Sequence, residues 1–116
     1  MNNSKVLVAG ATGLTGSHTV QLLLDHGRPV RALAHRGDER SKRLQDLGAE
    51  VTIGDLLNLS DVRSALNGVQ SAYFVYPLSP TLVHATVIFA QAAKEAGVEI
   101  VARSRSGFDA RSLMDA

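Results

Sequence analysis

The chain has 116 residues, of which 45% are hydrophobic and 20% are charged, as in one modest globular domain. A net charge of +1 gives no indication of a nucleic-acid surface, and the absence of cysteine excludes disulfides and thiolate chemistry. No apolar run approaches a membrane span, and residues 1–4 carry no signal-peptide core, so we expect a cytoplasmic protein without membrane contact.

Hydrophobic patterning predicts strands that alternate with helices along most of the chain. The predicted strands are 6–9, 30–34, 49–53, 69–75 and 98–101. The predicted helices are 14–26, a helix from an Asp38 cap to 47, 61–66 and 81–96. This alternation favours an α/β fold of the Rossmann-like, three-layer α/β/α kind, with a parallel sheet of about five strands in the order 3-2-1-4-5. We assign residues 1–102 to this domain and residues 103–116 to an irregular tail.

Polar residues and glycines mark the helix ends. Asp38 is a predicted N-cap, with Leu44 and Leu47 on the apolar face of its helix and Gly48 at the end. Ser60 is the predicted cap of the third helix. The apolar stripe of the fourth helix is predicted to comprise Leu82, Ala85, Phe89, Ala92 or Ala93, and Ala96.

A glycine-rich turn joins the first strand to the first helix. Gly10, Gly13 and Gly16 are spaced G-x-x-G-x-x-G. Such glycines allow a tight turn, a close approach of a pyrophosphate to the backbone, and close packing of helix on strand. The positive end of the helix then faces the phosphates. We predict a dinucleotide site here; a plain strand-to-helix turn without a ligand is the alternative.

The end of the second strand predicts the choice of cofactor. No acidic residue stands between Asp25 and Asp38, and His35 and Arg36 occupy the place where an acidic side chain would favour NAD. A guanidinium there can pair with a 2′-phosphate, so we expect NADP, with NAD as the second option. The alternative is that Arg36 is a solvated loop arginine, and Arg31 is predicted to be a surface charge.

Two further strand ends carry candidate residues. Asp55 follows the third strand, where its carboxylate either accepts a hydrogen bond from the adenine amine or bonds its own backbone in a turn. Tyr76 ends the fourth strand, where it either lines the cleft or forms a rigid turn with Pro77. The four histidines form no metal-binding pattern; His26 is predicted to interact with a helix carboxyl terminus, and His84 to be exposed.

The sequence over about residues 5–101 resembles the NmrA-like group of atypical short-chain dehydrogenases/reductases. The resemblance is carried by Val8-Ala9-Gly10-Ala11-Thr12-Gly13-Leu14-Thr15-Gly16, by Val30-Arg31-Ala32-Leu33-Ala34-His35-Arg36, by Gly54-Asp55-Leu56, and by residues 90–98. It implies a Rossmann fold that binds NADP or NAD. Arg36 would contact the 2′-phosphate, and Asp55 and Leu56 the adenine. The implied phosphate contacts are Gly10, Thr12, Gly13, Leu14, Thr15 and Gly16.

The resemblance implies an activity but provides no catalytic residue. The group includes NAD(P)H-dependent reductases of quinones or azo dyes, and regulators that bind the dinucleotide without turning it over. Its dehydrogenase relatives usually place a Tyr-x-x-x-Lys pair beyond the fifth strand. Here neither Tyr73 nor Tyr76 has a lysine four residues later, and we expect the chain to be truncated relative to the group. Three interpretations follow: a reductase, a non-enzymatic NADP(H) sensor that reports to a protein partner, or an inactive truncated product that folds poorly and whose exposed fifth strand favours aggregation or dimerisation.

Overall fold

The chain forms a five-stranded parallel sheet with helices on both faces. A computed structural model describes residues 5–10, 14–74 and 80–102. The strands are β1 (Lys5–Ala9), β2 (Val30–Ala34), β3 (Glu50–Ile53), β4 (Val69–Phe74) and β5 (Glu99–Ala102). The helices are α1 (Leu14–Asp25), α2 (Glu39–Leu47), α3 (Leu59–Leu66) and α4 (Leu82–Ala96). The strand order is β3-β2-β1-β4-β5, which confirms the predicted fold class and topology.

Alternation along the central strand divides the core between the two faces of the sheet. Val6 and Val8 of β1 belong to one apolar cluster with Val20 of α1 and Leu44 of α2. Leu7 of β1 belongs to the other cluster, with α3 and α4. In that second cluster, the rings of Phe74 and Phe89 lie 4.8 Å apart between centroids. Because both faces of β1 are covered, its side chains from Val6 onward are buried, as its apolar run predicts.

Local capping rules place most helix ends correctly. The Asp38 carboxylate caps α2, and Gly48 ends the helix in the left-handed region, with φ 112°. The Ser60 cap is wrong: Asn58 caps α3 and accepts a hydrogen bond from the Asp61 N–H. Both residue types suit this position, and the turn after β3 brings Asn58 to it first.

Three side-chain predictions for the packed faces are also wrong. Leu47 is 43% exposed, because Leu44, which is 2% exposed, takes the buried position in the last turn of α2. Ala96 is exposed because Ala92 and Ala93 fill the buried positions of that turn. The side chain of Arg31 is only 14% exposed. Its Nη1 donates hydrogen bonds of 2.7 Å to two carbonyl oxygens near the end of α3, those of Ala65 and Asn67.

Candidate functional site at the carboxyl edge of the sheet

The carboxyl end of β1 lies between two neighbouring strands. Ala9 pairs with Leu33 of β2 on one side and with Phe74 of β4 on the other. Gly10 follows with φ 74°, a conformation that glycine adopts without the steric cost of a side chain. Gly16 is buried within α1. This turn is at the switch point of the sheet, where open α/β folds bind their ligands.

Other predicted site residues can be located only in part. Leu14 and Thr15 begin α1, so their backbone N–H groups belong to the first turn of that helix, whose end attracts anions. The predictions for Thr12, Gly13 and Tyr76 concern positions outside the residues that the structure describes.

A histidine and an arginine follow β2, and their side chains have no partner within the described residues. His35 and Arg36 are both exposed, and neither forms a hydrogen bond or ion pair within the described residues. Asp38, two positions later, is committed to the helix: its Oδ1 accepts from the N–H groups of Arg40 (3.1 Å) and Ser41 (3.2 Å). The Ser41 N–H chiefly holds the pKa of the Asp38 carboxyl below its usual value. The Arg36 guanidinium is therefore available to an anion from outside.

The end of β3 is fastened to the end of β2. The Gly54 N–H donates to the Ala34 carbonyl at 2.9 Å. Asp55 then forms a turn, since its Oδ1 accepts from the Leu57 N–H at 2.9 Å and its carbonyl accepts from the Asn58 N–H at 3.0 Å. The turn interpretation of Asp55 is thus confirmed for Oδ1. Its second oxygen, Oδ2, has no hydrogen-bond partner among the described residues, so the turn does not use the whole carboxylate.

Sequence reasoning overlooked Asp61. Its Oδ2 accepts a 3.0 Å hydrogen bond from the Asp55 N–H, and its own N–H donates to Asn58 Oδ1 at 3.1 Å. The carboxylate stands in the first turn of α3, where the positive end of the helix favours it. The Asn58-x-x-Asp61 spacing, which is typical of a helix start, was the available signal.

Leu56 has an apolar support at the same edge. Its partly buried side chain packs against the apolar cluster that includes α3 and α4. This contact holds the turn after β3 against the core. The structure thus brings Gly10, Arg36, Asp55 and Leu56 to the carboxyl ends of three adjacent strands.

The predictions for His26 and His84 agree with the structure. His26 Nδ1 lies 2.8 Å from the Leu22 carbonyl oxygen at the end of α1, and His84 is exposed on α4. In the described part of the chain, no group of three metal-binding side chains comes together. None of the described helices is long and apolar enough to cross a membrane.

The chain belongs to the NmrA-like family, whose family model matches residues 2–112. It is 36% identical over 94 residues to an NAD(P)H azoreductase from Xenophilus azovorans, covering 81% of this chain and 32% of the relative. It is 35% identical over 107 residues to an NmrA-like family domain-containing oxidoreductase from an Aspergillus species, covering 83% and 32%. The chain therefore spans about a third of the length of these relatives.

Solved structures agree with the fold. The triphenylmethane reductase of Citrobacter sp., crystallised in complex with NADP(H), superposes with a TM-score of 0.76 and 28% identity. The match covers 85% of this chain and 37% of the reductase. This likeness supports the Rossmann-like fold described above.

Proposed function

We propose that the carboxyl edge of the sheet binds NADP(H) and that the chain provides the cofactor-binding part of an NAD(P)H-dependent reductase. The observation that carries this proposal is the placement of a positive-φ glycine turn at Gly10 beside an exposed Arg36 without an internal partner. A turn of this kind admits a pyrophosphate, and a guanidinium recognises a phosphate by charge-assisted hydrogen bonds. NAD binding is the second option.

Each part of the edge has a proposed role. Arg36, with His35 beside it, would contact the 2′-phosphate, while Asp55 and Leu56 would contact the adenine and Tyr76 would line the cleft. The phosphates would lie against Gly10, Thr12, Gly13, Leu14, Thr15 and Gly16. The described residues fit such a ligand because the Arg36 guanidinium and Asp55 Oδ2 have no partners within the described chain.

The proposed chemistry is reduction by hydride transfer. Bound NADPH supplies the hydride, while the chain binds and orients the cofactor. The azoreductase and the triphenylmethane reductase among the similar proteins support an azo, quinone or dye-like acceptor as the substrate class. We assign no catalytic residue.

Charge reversal at the end of β2 tests the cofactor proposal. Arg36→Asp should raise the Kd for NADPH about tenfold or more, since a hydrogen bond to a charged group is lost and repulsion is added. The Kd for NADH should change much less, because NADH has no 2′-phosphate. Calorimetric titration measures both constants, and urea unfolding of the variant should match that of the original chain.

Arg43→Asp is the matched control, since Arg43 is an exposed arginine of α2 without a partner in the described residues. It should leave both constants unchanged. Equal losses for NADPH and NADH with Arg36→Asp would contradict the 2′-phosphate role. NADPH oxidation with a quinone then separates the reductase from the sensor: saturable binding without turnover would favour the sensor.

A further inference from the structure

Asp61 joins α3 to the turn that carries Asp55. One oxygen of its carboxylate accepts the Asp55 N–H at 3.0 Å, and its backbone N–H is held by the Asn58 side chain at 3.1 Å. The residue is partly buried. Because the Asp61 backbone is held at the start of α3 and its side chain bonds the Asp55 N–H, Asp61 restrains the Asp55 turn against the helix.

We propose that Asp61 is a positioning residue that holds Asp55 where its free carboxylate oxygen recognises the exocyclic amine of adenine. This inference rests on the proposed NADP(H) function and assigns to it a residue that does not touch the cofactor. Asp55 Oδ1 is occupied by the Leu57 N–H, so the side chain is fixed in one rotamer with Oδ2 left for a donor. An amine is a donor, whereas a carbonyl at the same place would face a second acceptor.

The packing around Gly54 makes the Asp61 contact sensitive to a single methyl group. A Cβ atom at Gly54 would lie 3.2 Å from Asp61 Cβ and 3.2 Å from Leu33 Cδ1. Gly54→Ala therefore forces the Asp61 and Leu33 side chains to give way by a few tenths of an ångström, which disturbs the Asp61 hydrogen bond to the Asp55 N–H without removing a polar group. At Gly37 an added Cβ would meet only Ile53 Cδ1, at 4.0 Å, so Gly37→Ala is the matched control for an added methyl.

The experiment compares NADPH with its hypoxanthine analogue, in which a carbonyl replaces the adenine amine. Calorimetric titration of the full 116-residue chain should give a Kd about tenfold lower for NADPH than for the analogue, the usual effect of a hydrogen bond to a charged acceptor. Asp61→Ala and Gly54→Ala should reduce this ratio toward one. Asp61→Asn should preserve it, because its amide oxygen still accepts the Asp55 N–H.

Val62→Ala controls for stability, since Val62 is a fully buried residue of α3 outside this hydrogen-bond network. It should lower the urea midpoint and leave the ratio unchanged. The positioning role would be overturned if Asp61→Ala kept the same ratio of the analogue Kd to the NADPH Kd as the original chain. If Asp61→Ala does not fold, the same result with Gly54→Ala would overturn it. NADPH binding without any preference over the analogue would overturn this inference alone, whereas no NADPH binding by the original chain would overturn the cofactor proposal with it.

Discussion

Charged side chains have different surroundings at the two ends of the parallel strands. We call these ends the amino edge, where the strands begin, and the carboxyl edge, where they end. At the amino edge, Glu50 of β3 accepts hydrogen bonds from Lys5 of β1 and from Arg31 of β2. Arg31 also donates to two carbonyl groups near the end of α3. At the carboxyl edge, His35 and Arg36 follow β2 directly and have no partner in the described residues.

This difference separates charges that hold the fold from charges that can bind a ligand. The amino edge connects three strands and a helix through one cluster, in which each of these charged side chains already has a protein partner. A protein surface keeps a cation unpaired at little cost, because water solvates it. We therefore expect substitutions at the amino edge to change the free energy of unfolding, and those at Arg36 to change cofactor affinity.

The largest expected effect on stability is at Arg31. Arg31→Ala should lower the free energy of unfolding by about 2 kcal/mol, the usual cost of losing hydrogen bonds to a charged group, because the Ala65 and Asn67 carbonyls lose their donor. Urea unfolding at pH 7 measures the loss, and NADPH affinity should not change while the variant is folded. Arg43→Ala, on the exposed surface of α2, should have little effect. A similar loss from both substitutions would mean that the amino-edge cluster is not special.

Features governed by short-range rules could be predicted from the sequence. The strand order follows from alternating strands and helices with short connections, and the Asp38 and Gly48 caps follow from local side-chain and backbone preferences. Arg36 could be placed at the carboxyl edge because it comes directly after a strand. The caps and the position of Arg36 need only the neighbouring residues in the chain, and the strand order needs only the regular alternation of strands and helices.

Side-chain contacts between residues that are distant in the sequence could not be predicted. The surroundings of Arg31 include carbonyl groups 34 and 36 positions later, so the sequence near it suggested only an exposed charge. Asp61 meets the Asp55 N–H only because the turn between them folds back on α3. Which of Leu44 and Leu47 is covered depends on the elements that pack beside α2, which the sequence of the helix does not reveal.

A helix cap at the carboxyl edge provides an intermediate case. Asp38→Ala should lower the free energy of unfolding by less than Arg31→Ala does, as N-cap removal usually destabilises a helix, because the Arg40 and Ser41 N–H groups lose their acceptor. Asp38→Asn should recover most of the loss, since asparagine caps about as well. Urea unfolding of the three proteins gives the comparison. Equal losses for both variants would show that the charge of Asp38, and not its cap, stabilises α2.

The smallest expected effect is at Glu50, whose contribution to the free energy of unfolding depends on pH. The hydrogen bond from Lys5, with Arg31 beside it, lowers the pKa of Glu50 below its ordinary value of 4.5. A lowered pKa stabilises the folded state above that value, and the contribution is lost as pH falls through the folded pKa. Because the Glu50 side chain is 46% exposed, solvent screening limits the contribution, and Glu50→Gln should cost roughly 0.5 kcal/mol at pH 7.

The difference in the free energy of unfolding between Glu50→Gln and the original chain should therefore become smaller below pH 4.5. It should vanish once the Glu50 carboxyl is protonated in the folded protein. Urea unfolding at a series of pH values follows it. Glu99→Gln is the matched control, since Glu99 also begins an edge strand and has no partner in the described residues. A pH-independent cost for Glu50→Gln would mean that packing of the side chain, and not its charge, joins the strands at the amino edge.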